Sequence, residues 1–132
     1  MNIAIVGATG NVGRKTLEVF DKKNFKFENL YLVASEKSAG KKITFRNKEY
    51  EIENLETYDF SKANITFFAA GGKIAEKYAE NAAKHTIVID NSSFFRMDPD
   101  VPLIVPQVNS SDIKKMKKNI IANPNCSTAQ LV

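Results

Sequence analysis

The chain has 132 residues, 43% of them hydrophobic and 26% charged, with a formal net charge of +4; these are the proportions of one ordinary globular domain with enough apolar residues for a core. A single cysteine excludes an internal disulfide framework and any multi-cysteine metal site, and no metal centre is expected. The charge comes from scattered lysines such as Lys22-Lys23, Lys114-Lys115 and Lys117-Lys118, which suit solvated faces better than nucleic acid, and no apolar run approaches membrane-spanning length, so the chain reads as cytoplasmic with neither nucleic acid nor membrane as partner.

In chain order, Asn2 to Val6 is a short apolar run that stops at Gly7. Gly13 to Lys23 then carries Gly13, Leu17 and Phe20 at helical spacing, which predicts strand, glycine turn, helix. Leu30 to Ala34 predicts a second strand, followed by the polar loop Ser35 to Lys42. The alternating pieces Ile43 to Arg46 and Glu49 to Ile52 flank Asn47-Lys48 like a hairpin. Asn64 to Ala69 is a strand ending in Ala70-Gly71-Gly72, after which Ile74, Ala75, Tyr78, Ala79 and Ala82 share one helical face. Thr86 to Ile89 is a β-branched run too short for a helix. The segment Asp90 to Asn109, with Pro99, Pro102 and Pro106, reads as an irregular excursion with a short strand around Leu103 to Val105. Ser110 or Ser111 is expected to cap a short helix whose C-terminal dipole Lys117 and Lys118 would suit, and Asn119 to Ala122 is the last strand. The alternation predicts an α/β fold with a doubly wound, mainly parallel sheet, a Rossmann-like dinucleotide-binding domain.

In such a sheet ligands gather at the carboxyl ends of the strands. The stretches richest in Gly, Ser, Asn and Asp all follow strands: Gly7 to Gly13, Ser35 to Lys41, Ala70 to Gly72, Asp90 to Arg96 and Asn123 to Thr128. Gly7-Ala8-Thr9-Gly10-Asn11-Val12-Gly13 is a GxxGxxG run with the logic of a dinucleotide fingerprint: one glycine for the tight turn, one for approach of backbone to the pyrophosphate, and Gly13 for close packing of the helix. The spacing is neither GxGxxG nor that of a P-loop, and the plainer reading is a glycine turn alone. In Ser35-Glu36-Lys37-Ser38-Ala39-Gly40-Lys41 the hydroxyls and lysines suit a 2′-phosphate, with Lys37 as a point charge; the plainer reading is a solvated loop. Arg96, flanked by Phe95 and Met97, is placed to be partly desolvated and to hold a phosphate or carboxylate, or else is a surface arginine paired with Asp98 or Asp100. Pro124 breaks the last apolar run and Asn125-Cys126-Ser127-Thr128 follows, which places Cys126 where a strand ends and a helix begins. A helix N-terminus favours the thiolate and hence a nucleophile; the plainer reading is a small buried hydrophobe.

Together these stretches resemble the bacterial form of aspartate-semialdehyde dehydrogenase: GATGNVG at Gly7 to Gly13, SEKSAGK at Ser35 to Lys41, AAGG at Ala69 to Gly72, DNSSFFRMDPDVPLIVPQVN at Asp90 to Asn109 and NPNCSTAQL at Asn123 to Leu131. The resemblance implies an NADP-dependent oxidoreductase interconverting L-aspartyl 4-phosphate and the semialdehyde plus phosphate, on the route to lysine, threonine and methionine. It implies Cys126 as the nucleophile that forms a thioester, Arg96 on phosphate and Asn125 beside the substrate. Cofactor contacts are implied for Gly7, Thr9, Gly10, Asn11, Val12, Gly13, Ser35, Lys37, Ser38 and Gly71. The family usually has Arg where Lys37 stands and Ser where Ala69 stands. It also continues beyond this point into a catalytic and dimerisation domain that supplies a histidine acid/base, its full-length form being a homodimer or dimer of dimers. Residues 1–132 thus read as a dinucleotide-binding domain ending at the cysteine segment. His85, the only histidine, precedes its strand and is expected roughly 16 Å from the edge bearing Cys126, at ~3.3 Å per residue, so the chain alone is expected to be inactive.

Two rival readings remain at this stage. N-acetyl-γ-glutamyl-phosphate reductase shares a glycine loop and a cysteine after Asn-Pro but tends toward glycine where Asn125 stands. A non-catalytic nucleotide-binding module, or a short-chain dehydrogenase relative using the YxxxK spacing of Tyr58 and Lys62, is the other; that spacing falls just before a strand and reads as chance.

Overall fold

Apolar runs without polar alternation, Ile3-Ala4-Ile5-Val6 above all, form strands here because both of their faces are covered, and all four residues are fully buried. The computed structural model describes residues 1–131. Its strands in chain order are β1 (Asn2–Val6), β2 (Asn29–Ala34), β3 (Lys42–Phe45), β4 (Lys48–Glu51), β5 (Glu53–Asn54), β6 (Ile65–Phe68), β7 (Ile87–Asp90) and β8 (Ile120–Ala122). The helices are α1 (Asn11–Lys22), α2 (Gly72–Ala82), α3 (Pro106–Asn109) and α4 (Cys126–Leu131). Six strands make one sheet in the order β5-β2-β1-β6-β7-β8, every pairing parallel, and β3 and β4 form a separate antiparallel hairpin. This is the doubly wound, Rossmann-like sheet that the strand and helix alternation predicts.

The core is divided by the sheet. On one face α2 lays Ala75, Ala79 and Ala82 against Ala4, Val6, Phe68, Val88 and Ile120, and Tyr58, Phe60, Phe95 and Val101 close the edges. Alanines favour the helix and let its axis approach the strands. On the other face α1 sets Leu17 and Phe20, with Phe45 and Ile52 of the hairpin region, on Ile3, Ile5, Leu30 and Leu32. There α1 and the hairpin cover β1 and β2, while Phe67, Ile89 and Ile121 remain half-buried.

Four local expectations are corrected. Helix α1 starts at Asn11, two residues ahead of Gly13, because extended Gly10 serves as its N-cap and Gly10 N–H closes a turn on the Gly7 carbonyl at 3.0 Å. The hairpin turns about Arg46-Asn47, one residue earlier than expected. Both residues have positive φ, 51° and 64°, as a two-residue I′ turn demands. Arginine accepts that backbone because its guanidinium is anchored, donating to the carbonyls of Phe20 (2.6 Å) and Phe25 (2.8 Å) at the end of α1 and lying over the rings of Phe27 and Phe45. The strand expected around Leu103 is only an isolated bridge to Ala122. Neither Ser110 nor Ser111 is a helix N-cap: Ser110 ends α3, and Asn109 precedes the turn that follows. Pro106 starts α3 four residues before Ser110, the Asn109 side chain accepts from Val105 N–H (2.7 Å), and Ser110–Lys115 continues as a 3-10 turn. Lys117 and Lys118 lie beyond that turn, paired with Asp100 and with Asp98 and Glu80.

The Arg46 anchor supplies a test of the hairpin account. Arg46→Ala is expected to lower unfolding free energy by about 2 kcal/mol, since it removes charge-assisted hydrogen bonds to two carbonyls and two ring contacts. Arg46→Lys, lacking the planar fork, should recover less than half of it. Urea unfolding midpoints measure both.

Candidate active site

Register brings the strand ends level. Val33, Val6, Phe68, Asp90 and Ala122 are successive partners across the sheet, so the loops leaving β2, β1, β6, β7 and β8 all begin at one height on its carboxyl edge. Those loops are bonded to the neighbouring strand ends: Gly7 N–H to Val33 O (2.9 Å), Ala69 N–H to Val6 O (2.8 Å), Asn91 N–H to Phe68 O (2.9 Å) and Asn123 N–H to Asp90 O (2.8 Å). The order of connections reverses between β1 and β6, the position where such sheets open a crevice.

The three glycines of the first loop have separable roles. Gly7 has φ +85°, and a Cβ there would stand 2.7 Å from the Ala69 carbonyl oxygen of the β6 loop, so turn and close approach both require glycine. A Cβ on Gly13 would stand 2.3 Å from the Gly7 carbonyl oxygen, which is what holds α1 tight against the end of β1. Around Gly10 only Gly7 O lies near, at 3.5 Å, so this position is open toward solvent. No side chain caps α1 and no acidic residue sits in its first turn, which leaves the N–H groups beside Asn11, Val12 and half-buried Thr9 turned toward the edge without a competing anion. These features fit a dinucleotide pyrophosphate. Beyond β2, Ser35 and Lys37 are exposed and Ser38 is half-buried in a turn closed by Ser38 N–H on Ser35 O. Lys37 has no ion-pair partner among the described residues. Gly71, with φ +89°, caps α2 and is exposed.

Arg96 is half-buried and pairs with neither Asp98 nor Asp100. Its Nε donates to Asn123 O (2.9 Å) and its Nη2 to Asn91 O (3.2 Å), which ties the β7 loop to the β8 loop. Met97 gives it no cover, being 92% exposed, whereas Phe95 on its other side is buried in the core at 1%. The Asp100 N–H, and after it the Lys118 ammonium, holds the Asp98 carboxyl below the usual carboxylate range, so its charge is engaged away from Arg96. Cys126 is exposed and is the first residue of α4, immediately past the strand-ending turn, and not a buried hydrophobe. The Asn125 side-chain oxygen accepts from Thr128 N–H at 2.7 Å and so caps α4.

A cleft of about 450 Å³ lies beneath this edge, with Asn11, Val12, Ala69, Asn91 and Asn123 at its rim and Val19, Phe20, Phe67 and Ile89 below. It brings the start of α1 together with the β6, β7 and β8 loops. Cys126, Arg96 and Asn125 stand outside its lining, as do Ser35, Lys37 and Ser38. Asn91 and Asn123 went unassigned in the sequence; their amides bond to each other at 2.7 Å, and the available signal was that each is the first residue past a strand end. His85 is exposed ahead of β7, at the opposite edge. Tyr58 belongs to the core, its hydroxyl buried without a hydrogen-bond partner and driven upward in pKa by that burial, which is the reverse of what a YxxxK catalytic tyrosine needs.

Residues 2–116 match the profile of the family described as semialdehyde dehydrogenase, NAD binding domain. The chain belongs to the semialdehyde dehydrogenase family. Aspartate-semialdehyde dehydrogenase of Aquifex aeolicus is 53% identical to it over 133 residues, covering 98% of this chain and 39% of the relative. The crystal structure of aspartate semialdehyde dehydrogenase II complexed with ASA from Vibrio cholerae superposes with a TM-score of 0.95 at 48% identity, covering 98% of this chain and 43% of that one. The enzyme of Candida albicans with NADP superposes at 0.75 and 28% identity, covering 99% and 44%. The motif resemblance to aspartate-semialdehyde dehydrogenase therefore holds for family and for fold. This semialdehyde dehydrogenase chain spans 39% of the length of the Aquifex relative, and the part it spans is a nicotinamide-dinucleotide-binding domain of an oxidoreductase family. Among the described residues no helix is long and apolar enough to cross a membrane, and no group of His, Cys, Asp or Glu is arranged to hold a metal ion.

Proposed function

We propose that the chain is the NADP-binding and nucleophile-bearing portion of an aspartate-semialdehyde dehydrogenase, interconverting L-aspartyl 4-phosphate and L-aspartate 4-semialdehyde plus phosphate. The observation that carries this reading is the shared edge: the uncapped start of α1, the Arg96 guanidinium and the Cys126 thiol all follow strand ends that are level in register.

Cys126 Sγ attacks the acyl carbon of the acyl phosphate, the carbon–oxygen bond to phosphate breaks, and an S-acyl thioester remains on the chain. Arg96 receives the departing phosphate. Five N–H donors belong to its guanidinium and two are committed to carbonyls, so three are left for the anion. Asn125, by capping α4, fixes the turn from which the thiol projects and so positions substrate beside it. The open Gly10 position with the N–H groups of Thr9, Asn11 and Val12 holds the pyrophosphate, Gly7, Gly13 and Gly71 shape that cradle, and Ser35, Lys37 and Ser38 meet the adenosine end, Lys37 as a point charge on the 2′-phosphate. NADPH bound there supplies the hydride that reduces the thioester carbonyl. Collapse of the thiohemiacetal then frees the aldehyde and restores the thiol. That collapse needs a base to take the hydroxyl proton as the thiolate leaves; among the described residues the one histidine, His85, lies at the other edge, so the 132-residue chain alone is inactive on this reading and the base comes from the part of the family's length that it does not span.

Gly10→Ala tests the cofactor part. Its Cβ meets nothing closer than 3.5 Å, so stability should fall by less than about 1 kcal/mol, the usual difference between glycine and alanine at an N-cap. NADPH binding, followed by its fluorescence, should weaken at least roughly tenfold because the methyl stands where the pyrophosphate meets backbone. Unchanged NADPH affinity in a folded Gly10→Ala chain contradicts the assignment.

A further inference from the structure

Asp90, the last residue of β7, is fully buried, yet no cation is paired with it among the described residues. Its two oxygens are spent on one neighbour: Oδ1 accepts from Ser92 N–H at 3.1 Å and Oδ2 from Ser92 Oγ–H at 2.7 Å. Ser92, itself 8% exposed, passes the constraint on, because its Oγ accepts from Phe94 N–H at 3.2 Å. Phe95 is pinned in the core and Arg96 N–H closes the turn on Ser93 O. The main-chain carbonyl of the same Asp90 accepts from Asn123 N–H. One residue thus holds both loops between which the Arg96 fork is stretched, the β7 loop through its carboxyl group and the β8 loop through its carbonyl.

Burying a carboxyl group is costly unless it is hydrogen-bonded, and two bonds to a serine two residues away add little to global stability. What they do add is shape: they set the path from β7 to Arg96 and the distance from Asn91 O to Asn123 O that the guanidinium bridges. We infer that Asp90 and Ser92 are positioning residues that fix the orientation of the Arg96 guanidinium. This rests on the reading of Arg96 as the phosphate-binding group only for its functional consequence, a pre-set fork for the leaving phosphate. A long side chain ordered before the anion arrives loses less rotamer freedom on binding it.

The test is made on the chain itself, by nitrogen-15 NMR of the Arg96 Nε–H and by titration with inorganic phosphate. Asp90→Asn is the direct variant; Ser92→Ala is the milder one, which removes the hydroxyl relay and leaves the buried carboxyl in place. Ser92→Ala is expected to speed solvent exchange of the Arg96 Nε–H by roughly tenfold, the loss of about one hydrogen bond, and to weaken phosphate binding by a similar factor. Exchange of the β1 amides stays at the wild-type rate, and Ser92→Thr, which keeps the hydroxyl, restores both Arg96 readouts. An Arg96 Nε–H that exchanges at the wild-type rate in Ser92→Ala overturns the inference, and so does a rise matched by the β1 amides, which would mark general loosening. A wild-type chain with a protected Nε–H and no phosphate binding contradicts the phosphate role of Arg96 and leaves its positioning to be decided by the exchange rates.

Discussion

Gly13→Ala should unfold most of the protein's stability margin, although alanine is the better helix former by about 1 kcal/mol. The new methyl would stand 2.3 Å from the Gly7 carbonyl oxygen and 2.8 Å from Ala8 Cα, and both neighbours are backbone. Backbone cannot swing aside as a side chain does: Gly7 is held by Val33 O on one side and pressed against the β6 loop on the other. Relief requires α1 to back away from β1, which opens the contacts of Leu17 and Phe20. A loss of about 3 kcal/mol or more is expected, at the upper end for overpacking, read from chemical denaturation. Gly72→Ala is the control, since nothing lies within 4 Å of its Cβ and its φ is ordinary; it should leave stability unchanged or raise it slightly.

Cys126→Ser should remove turnover and little else. Joined to the remaining length of the Aquifex aeolicus relative, residues 1–131 are expected to reduce NADP in the presence of semialdehyde and phosphate, and the serine variant should be slower by roughly 10⁴-fold or more, the scale on which loss of a nucleophile is felt. A hydroxyl in place of the thiol is a much weaker nucleophile at neutral pH. The position is exposed at the start of α4, so the change should cost less than about 0.5 kcal/mol and leave NADPH affinity intact. A serine variant retaining a tenth of the wild-type rate would remove the thioester from the mechanism.

Strands buried on both faces are legible in sequence because nothing polar interrupts them; Ile3 to Val6 shows it, and the glycine loop shows it by contrast. The level carboxyl edge was also inferable, since the residues suited to ligands follow the strands. Features set by distant partners were not. Strand β5 has two residues, too few to carry a period, and exists because Val33 and Ala34 offer it an edge. The hairpin register depends on an arginine reaching 21 and 26 residues back to helix-end carbonyls. Ser110 resembles a cap locally, yet Pro106 and Asn109 had already taken the start of that turn. At the site, the cysteine and arginine stand out by type. The partners of Arg96 are main-chain oxygens, one of them 27 residues away, and no sequence pattern announces a carbonyl.

The central claim, that a nicotinamide dinucleotide lies across the carboxyl edge between the glycine loop and the cysteine loop, is tested most directly by titrating the nitrogen-15-labelled chain with NADPH. The account predicts shifts of the Thr9 to Val12, Ser35 to Ser38, Gly71, Asn91 and Asn123 amides, with Asn24, His85 and Lys117 to Asn119 at the opposite edge unmoved. Shifts confined to that opposite edge, or none at saturating NADPH, would contradict it.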